Sequence, residues 1–89
     1  MGQISIRHGH KLGAGEAAAR LKLLAEEFGR SYGLKVEVRG NSATFAGGGV
    51  SGRAEVDGES VTVEARLPLL IPAELVEEGV REALRRHFG

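Results

Sequence analysis

Polar and apolar residues alternate through Gln3-Ile4-Ser5-Ile6-Arg7, the period of a half-buried strand with Ile4 and Ile6 inward. The period then changes. From about Gly15 to Tyr32, the residues Ala17, Leu21, Leu24, Ala25 and Phe28 recur at helical spacing and form one apolar stripe. Glu16 in the first turn suits the helix dipole, and Gly33 suits a left-handed C-terminal cap. Leu23 falls on the charged side of this helix. Alternation resumes at Leu34-Lys35-Val36-Glu37-Val38-Arg39, with Leu34, Val36 and Val38 inward. Gly40-Asn41 is a two-residue hairpin turn that pairs Val38 with Ala43 and Val36 with Phe45. Gly47-Gly48-Gly49 is expected to close a four-residue loop that sets Phe45 opposite Val50.

The stretch from Val50 to Leu67 reads as two more strands. Val50, Ala54 and Val56 share a face with Val61, Val63, Ala65 and Leu67. A two-residue Asp57-Gly58 turn would place Glu59 on the buried face opposite Val56. A four-residue loop from Asp57 to Ser60 instead pairs Val56 with Val61 and Ala54 with Val63. It also sets Arg53 across from Glu64 on the wet face, and this loop is the expected one. Pro68 and Pro72 bracket the segment that follows, which can neither ladder well nor continue a helix. Pro72 suits the first position of a second helix, which runs to about Phe88. Its stripe is Val76, Val80, Ala83, Leu84 and His87, with Glu77–Arg81 and Glu82–Arg86 as i,i+4 pairs on the other side. Every strand keeps a polar second face. The order β-α-β-β-β-β-α therefore predicts a two-layer α+β fold, an antiparallel meander with both helices on one face.

At 89 residues the chain is long enough for one domain, residues 1–89, with little stability to spare. Hydrophobic residues at 42% and charged residues at 27% suit a globular chain rather than a disordered one. Lys+Arg and Asp+Glu balance at 12 each and no third of the chain carries a strong excess, so no nucleic-acid-binding face is expected. There is no cysteine, which excludes disulfides and thiolate metal sites and fits a reducing compartment. No apolar run reaches the roughly 20 residues of a membrane span, and the start lacks a signal-peptide pattern. A cytoplasmic location is the expectation.

Candidate chemistry is sparse. Gly13-Ala14-Gly15-Glu16-Ala17-Ala18 fits a G-x-G-x-x-A pattern after a strand, with Glu37 further on. A dinucleotide site needs parallel βαβ units, however, and here the strands are joined by hairpins. His8, His10 and His87 could form a loose metal site, but they lack helical ligand spacing and a nearby acid pair. Exposed or hydrogen-bonded histidines are the better reading, with no metal and no cofactor. Ser31, Ser42, Ser51 and Ser60 fall at turns or wet positions, none in a nucleophile elbow. No catalytic residue is assigned, and the chain is not expected to be an enzyme.

The segment from Leu67 to Pro72 carries more. It holds Leu67, Leu69, Leu70 and Ile71 between or beside its prolines, and Leu67 belongs by parity to the buried face of its strand. So compact a turn is not expected to bury three successive large side chains. Leu69, Leu70 and Ile71 are therefore the candidate interaction residues, for self-association or docking on an apolar surface.

The whole chain resembles the small bacterial polyhydroxyalkanoic acid system protein family. The resemblance rests on His10-Lys11-Leu12 before an Ala-rich helix, and on Tyr32-Gly33-Leu34 at the second strand. It continues through Gly40-Asn41-Ser42-Ala43-Thr44-Phe45, Val50-Ser51-Gly52-Arg53-Ala54-Glu55-Val56, and Leu67-Pro68-Leu69-Leu70 before a charged helix. It implies an accessory role in polyhydroxyalkanoate storage-granule metabolism, because such proteins are encoded near those genes. It carries over no catalytic residue. The implied partners are a second copy of the chain, a granule-associated protein or the polyester granule surface. A different class of function is a small apolar-ligand (acyl) binding module, using room left between sheet and helices by Gly52, Ala54, Ala65, Ala17, Gly79 and Ala83.

Overall fold

The computed structural model describes residues 2–89. Its elements are β1 (Gly2–Gly9), α1 (Ala14–Tyr32), β2 (Lys35–Arg39), β3 (Ser42–Gly47), β4 (Val50–Val56), β5 (Ser60–Leu67) and α2 (Ala73–Phe88). The strands form one antiparallel sheet in the order β1-β5-β4-β3-β2, so β1 lies beside the last strand and β2 at the far edge. Helix α1 spans β2, β3 and β4, while α2 lies over β1 and against α1. The expected α+β architecture is the one observed.

The apolar stripes define the core. Ala17, Leu21, Leu24, Ala25 and Phe28 of α1 are buried, as their spacing requires, and Leu23 is exposed. They meet Ile4, Ile6, Ala43, Phe45, Ala54, Val56, Val61, Val63 and Leu67 from the sheet. The opposite sheet face carries Ser5, Arg7, Lys35, Glu37, Thr44, Arg53, Glu55 and Glu64, all exposed. In α2 the stripe closes on Phe88, which is buried, rather than on the partly exposed His87. Both positions lie within one turn of Leu84, and the apolar ring takes the inner one.

The β4–β5 hairpin has the expected register, with Val56 opposite Val61 and Ala54 opposite Val63. The Asp57 carboxylate accepts the backbone N–H groups of Glu59 and Ser60 at 2.7 Å each, which fixes the four-residue loop. Those bonds hold the Asp57 carboxyl below its ordinary range. Arg53 does stand opposite Glu64, but its side chain pairs with Glu55 two positions along the same strand. The β3–β4 turn differs from the sequence expectation. Gly47 pairs with Val50, the loop is the two residues Gly48 and Gly49, and Phe45 faces Gly52 instead of Val50. Positive φ angles of 58° and 85° at Gly48 and Gly49 make the tighter turn accessible. The Phe45 ring stands edge-on to Phe28, with centroids 5.5 Å apart. Parity survives, because the slip is by two residues.

Helix ends follow local rules. Gly33 caps α1 in a left-handed conformation, φ 65°, and the Leu34 N–H reaches the Gly29 carbonyl at 3.1 Å. Pro72 sits just before α2 rather than inside it. Its ψ of 118° is extended, and its carbonyl accepts the Val76 N–H. Across the helix seam, Arg86 donates to both Glu27 oxygens at 2.8 and 2.7 Å, and His87 Nε2 lies 2.8 Å from Glu27 Oε1. Arg86 is thus drawn away from Glu82, which pairs with Arg85 instead, while Glu77 and Arg81 pair as expected. This bidentate contact, seconded by His87, lowers the Glu27 pKa to about 2.

Candidate functional site

The end of the sheet where β4 begins and β5 ends is incompletely covered. Helix α1 stops at Tyr32 and α2 starts only at Ala73, after the proline-bracketed turn. Sheet and helices part there around an apolar cavity of about 130 Å³. Its floor is Ile4, Phe45, Gly52, Val63, Ala65 and Leu67. Phe28, Tyr32 and Leu34 wall one side, and Ile71, Val76 and Val80 the other. Val50 and Glu64 also border it, and the surface facing the cavity is wholly apolar. Gly52 lies on the floor, paired with Ala65 across the ladder. A Cβ on Gly52 would lie 2.8 Å from the Glu64 carbonyl oxygen and 3.1 Å from the Ala65 Cβ, so the ladder admits nothing larger.

Of the small residues expected to leave room, Gly52 and Ala65 border the cavity, whereas Ala17, Ala54 and Ala83 lie in closely packed core. Gly79 serves another purpose. A Cβ there would come within 3.0 Å of the Tyr32 hydroxyl, so its absence lets Tyr32 reach from the end of α1 onto α2. The Tyr32 ring stands 6.1 Å from Phe28 and is 46% exposed, forming part of the cavity mouth.

The turn beside the mouth holds the three candidate interaction residues, and it treats them differently. Leu69 is 79% exposed and Leu70 93%, while Ile71 is half-buried, packs against the core and lines the cavity. The Ile71 N–H donates to the Pro68 carbonyl at 3.1 Å, closing the turn. Pro68 in turn sits over Gly49, whose missing side chain leaves the proline ring 3.5 Å from the Cβ position. The turn is therefore anchored at both ends and shows two leucines outward. Leu75, in the first turn of α2, is also largely exposed. The sequence reading missed Tyr32, Val50 and Val76 as cavity residues. Strand and helix parity assigns them inward but cannot tell that the layers fail to meet there.

The histidines are engaged structurally. His10 is buried, accepts the Leu12 N–H at Nδ1 over 3.1 Å, and lies with Nε2 3.0 Å from the Asp57 carbonyl oxygen. That bonding assigns the proton to Nε2, which donates to Asp57. The His10 ring also stands 5.6 Å from Phe88, and its backbone N–H donates to Glu59. One residue thus clasps the β4–β5 loop, the start of α1 and the end of α2. His8 bonds the Gly89 carbonyl oxygen and His87 joins Glu27, so the three imidazoles do not converge. Among the described residues no group of three or more His, Asp or Glu side chains is arranged to hold a metal ion. Glu37 lies on the wet face beside Arg39, and no parallel strand pair accompanies the glycine motif at Gly13. Among the described residues no helix is long and apolar enough to cross a membrane.

The fold and this cavity define a small two-layer α+β protein with an apolar recess flanked by projecting leucines. Residues 4–88 match the family described as "Putative polyhydroxyalkanoic acid system protein", and the chain belongs to it. That membership ties the protein to polyhydroxyalkanoate metabolism. No curated protein and no solved structure matches the chain.

Proposed function

We propose that the protein is a non-enzymatic, cytoplasmic accessory factor of polyhydroxyalkanoate metabolism that docks on the polyester granule surface through Leu69 and Leu70. The observation that supports this reading is the nearly complete exposure of both leucines on a turn held by Pro68 and Ile71. Burying one such side chain contributes about 1.5–3 kcal/mol, and a stiff turn lowers the ordering cost of contact. Two blunt aliphatic side chains suit an apolar surface without a defined shape.

Leu69→Ser with Leu70→Ser should reduce co-sedimentation with purified granules at least tenfold while shifting stability by no more than about 0.5 kcal/mol. Ile71→Ser should instead cost about 2 kcal/mol of stability, because that side chain is packed on the core. Undiminished sedimentation of the double variant would refute the docking turn. Binding to native granules but not to protein-stripped ones would assign the contact to a granule protein.

The apolar cavity favours a second reading, that of an acyl-binding module. An alkyl chain fits such a lining, and the family's description names a polyhydroxyalkanoic acid system.

A further inference from the structure

We infer that the cavity takes the unbranched alkyl tail of an alkanoate, methyl end first, to a depth of about four to six carbons. The inference rests on the acyl-binding reading and gives it a site, an orientation and a length. The length comes from volume: at about 130 Å³ the cavity is close to apolar cavities of about 150 Å³ that stay dry and hold a six-carbon ring. The orientation comes from the lining. Although Glu64 and Tyr32 are among the lining residues, no polar surface faces the cavity, so a carboxylate or ester inside would lose its hydration with no partner in return. The polar end must stay at the mouth, where Tyr32 is half exposed. The floor sets the stop, because the Gly52–Ala65 pair lies on a closed ladder that cannot spread.

Such a tail could belong to a free alkanoate or to a side chain of the polyester, and the two present the same hydrocarbon. The test is a titration of the full chain, followed by methyl NMR, with n-alkanoates of increasing length. A parallel series uses short hydroxyalkanoate oligomers carrying the same alkyl side chains. The methyl signals of Val63, Ile71, Val76 and Val80 should shift saturably. Affinity should rise about fourfold per methylene and level off once about six carbons are inside. Binding of only one series identifies the source. Val76→Phe, which fills the cavity from the helix side, should weaken six-carbon binding at least tenfold, while Leu23→Ser, on the exposed side of α1, leaves it unchanged. Should Val76→Phe fail to fold, Val50→Phe fills the space from the sheet side. The inference is overturned if affinity keeps climbing well past the plateau length, if the shifts centre on Leu69 and Leu70, or if a folded filling variant binds as tightly as wild type. If no alkanoate and no oligomer of any length shifts these methyls, the acyl-binding reading itself fails.

Discussion

Gly29 and Gly79 both lie inside helices, where glycine costs roughly 0.5–1 kcal/mol relative to alanine. Their neighbours give the two residues opposite prospects. A Cβ at Gly29 would lie 2.9 Å from Val36 Cγ2 and 3.3 Å from the Leu34 carbonyl oxygen, where the chain folds back from α1 into β2. At Gly79 the one close atom is the Tyr32 hydroxyl, the tip of a half-exposed side chain that can swing aside. Gly29→Ala is therefore expected to destabilise by about 1–3 kcal/mol, and Gly79→Ala to stabilise by about 0.5–1 kcal/mol. Urea denaturation of the two variants beside wild type measures both signs. Residue-level features were readable where one side chain obeys one rule, as with Gly33 at the end of α1 or Leu23 on its polar side. They were not readable where two residues compete for a place. His87 and Phe88 both fit the α2 stripe, and Phe88 takes the buried place beside His10 while His87 turns to Glu27.

Two contacts tie elements together, and each is testable. The Glu27 carboxyl, held down first by the Arg86 hydrogen bonds and then by His87, ionises at about 2 in the folded chain against an ordinary 4.5. A depressed folded value means stability that is present above pH 4.5 and is lost progressively as pH falls toward 2. Because Arg86 is exposed, screening limits the effect to about 1 kcal/mol. Thermal melts of wild type should fall across that window, and Glu27→Gln should flatten the slope while lowering stability at neutral pH. The second contact is the His10 clasp. His10→Ala leaves the Asp57 carbonyl and the Leu12 N–H without their partner, at a cost of about 2 kcal/mol. Faster hydrogen exchange at the Glu59 and Ser60 amides would show that the loss is felt at the hairpin end. Alternation made the hairpins legible, since it fixes which face each residue takes. It could not fix the loop between β3 and β4. Loops of two and of four residues preserve the same faces, and the positive φ angles that Gly48 and Gly49 can adopt allow the shorter one.

At the scale of the whole molecule, layer order and helix placement followed from one-sided strands and striped helices, but the position of the gap between the layers did not. It depends on where α1 stops relative to where α2 begins, which no single segment encodes. The same arrangement places β1 against β5, so that Gly9 meets Ser60 and Gly2 meets Leu67, partners more than half the chain away. The meander from β2 to β5 needs only neighbouring segments. Closing the long loop to β1 carries the larger entropic cost, so that pairing should come last. Pulse-labelled hydrogen exchange during refolding should find β3–β5 amides protected before those of Ile4 and Ile6, and simultaneous protection would contradict this order. A ribosome makes β1 first and its partner most of a chain later. Throughout that interval Ile4 and Ile6 have no strand to lie beside, and a nascent chain in this state offers an unpaired apolar edge to whatever meets it.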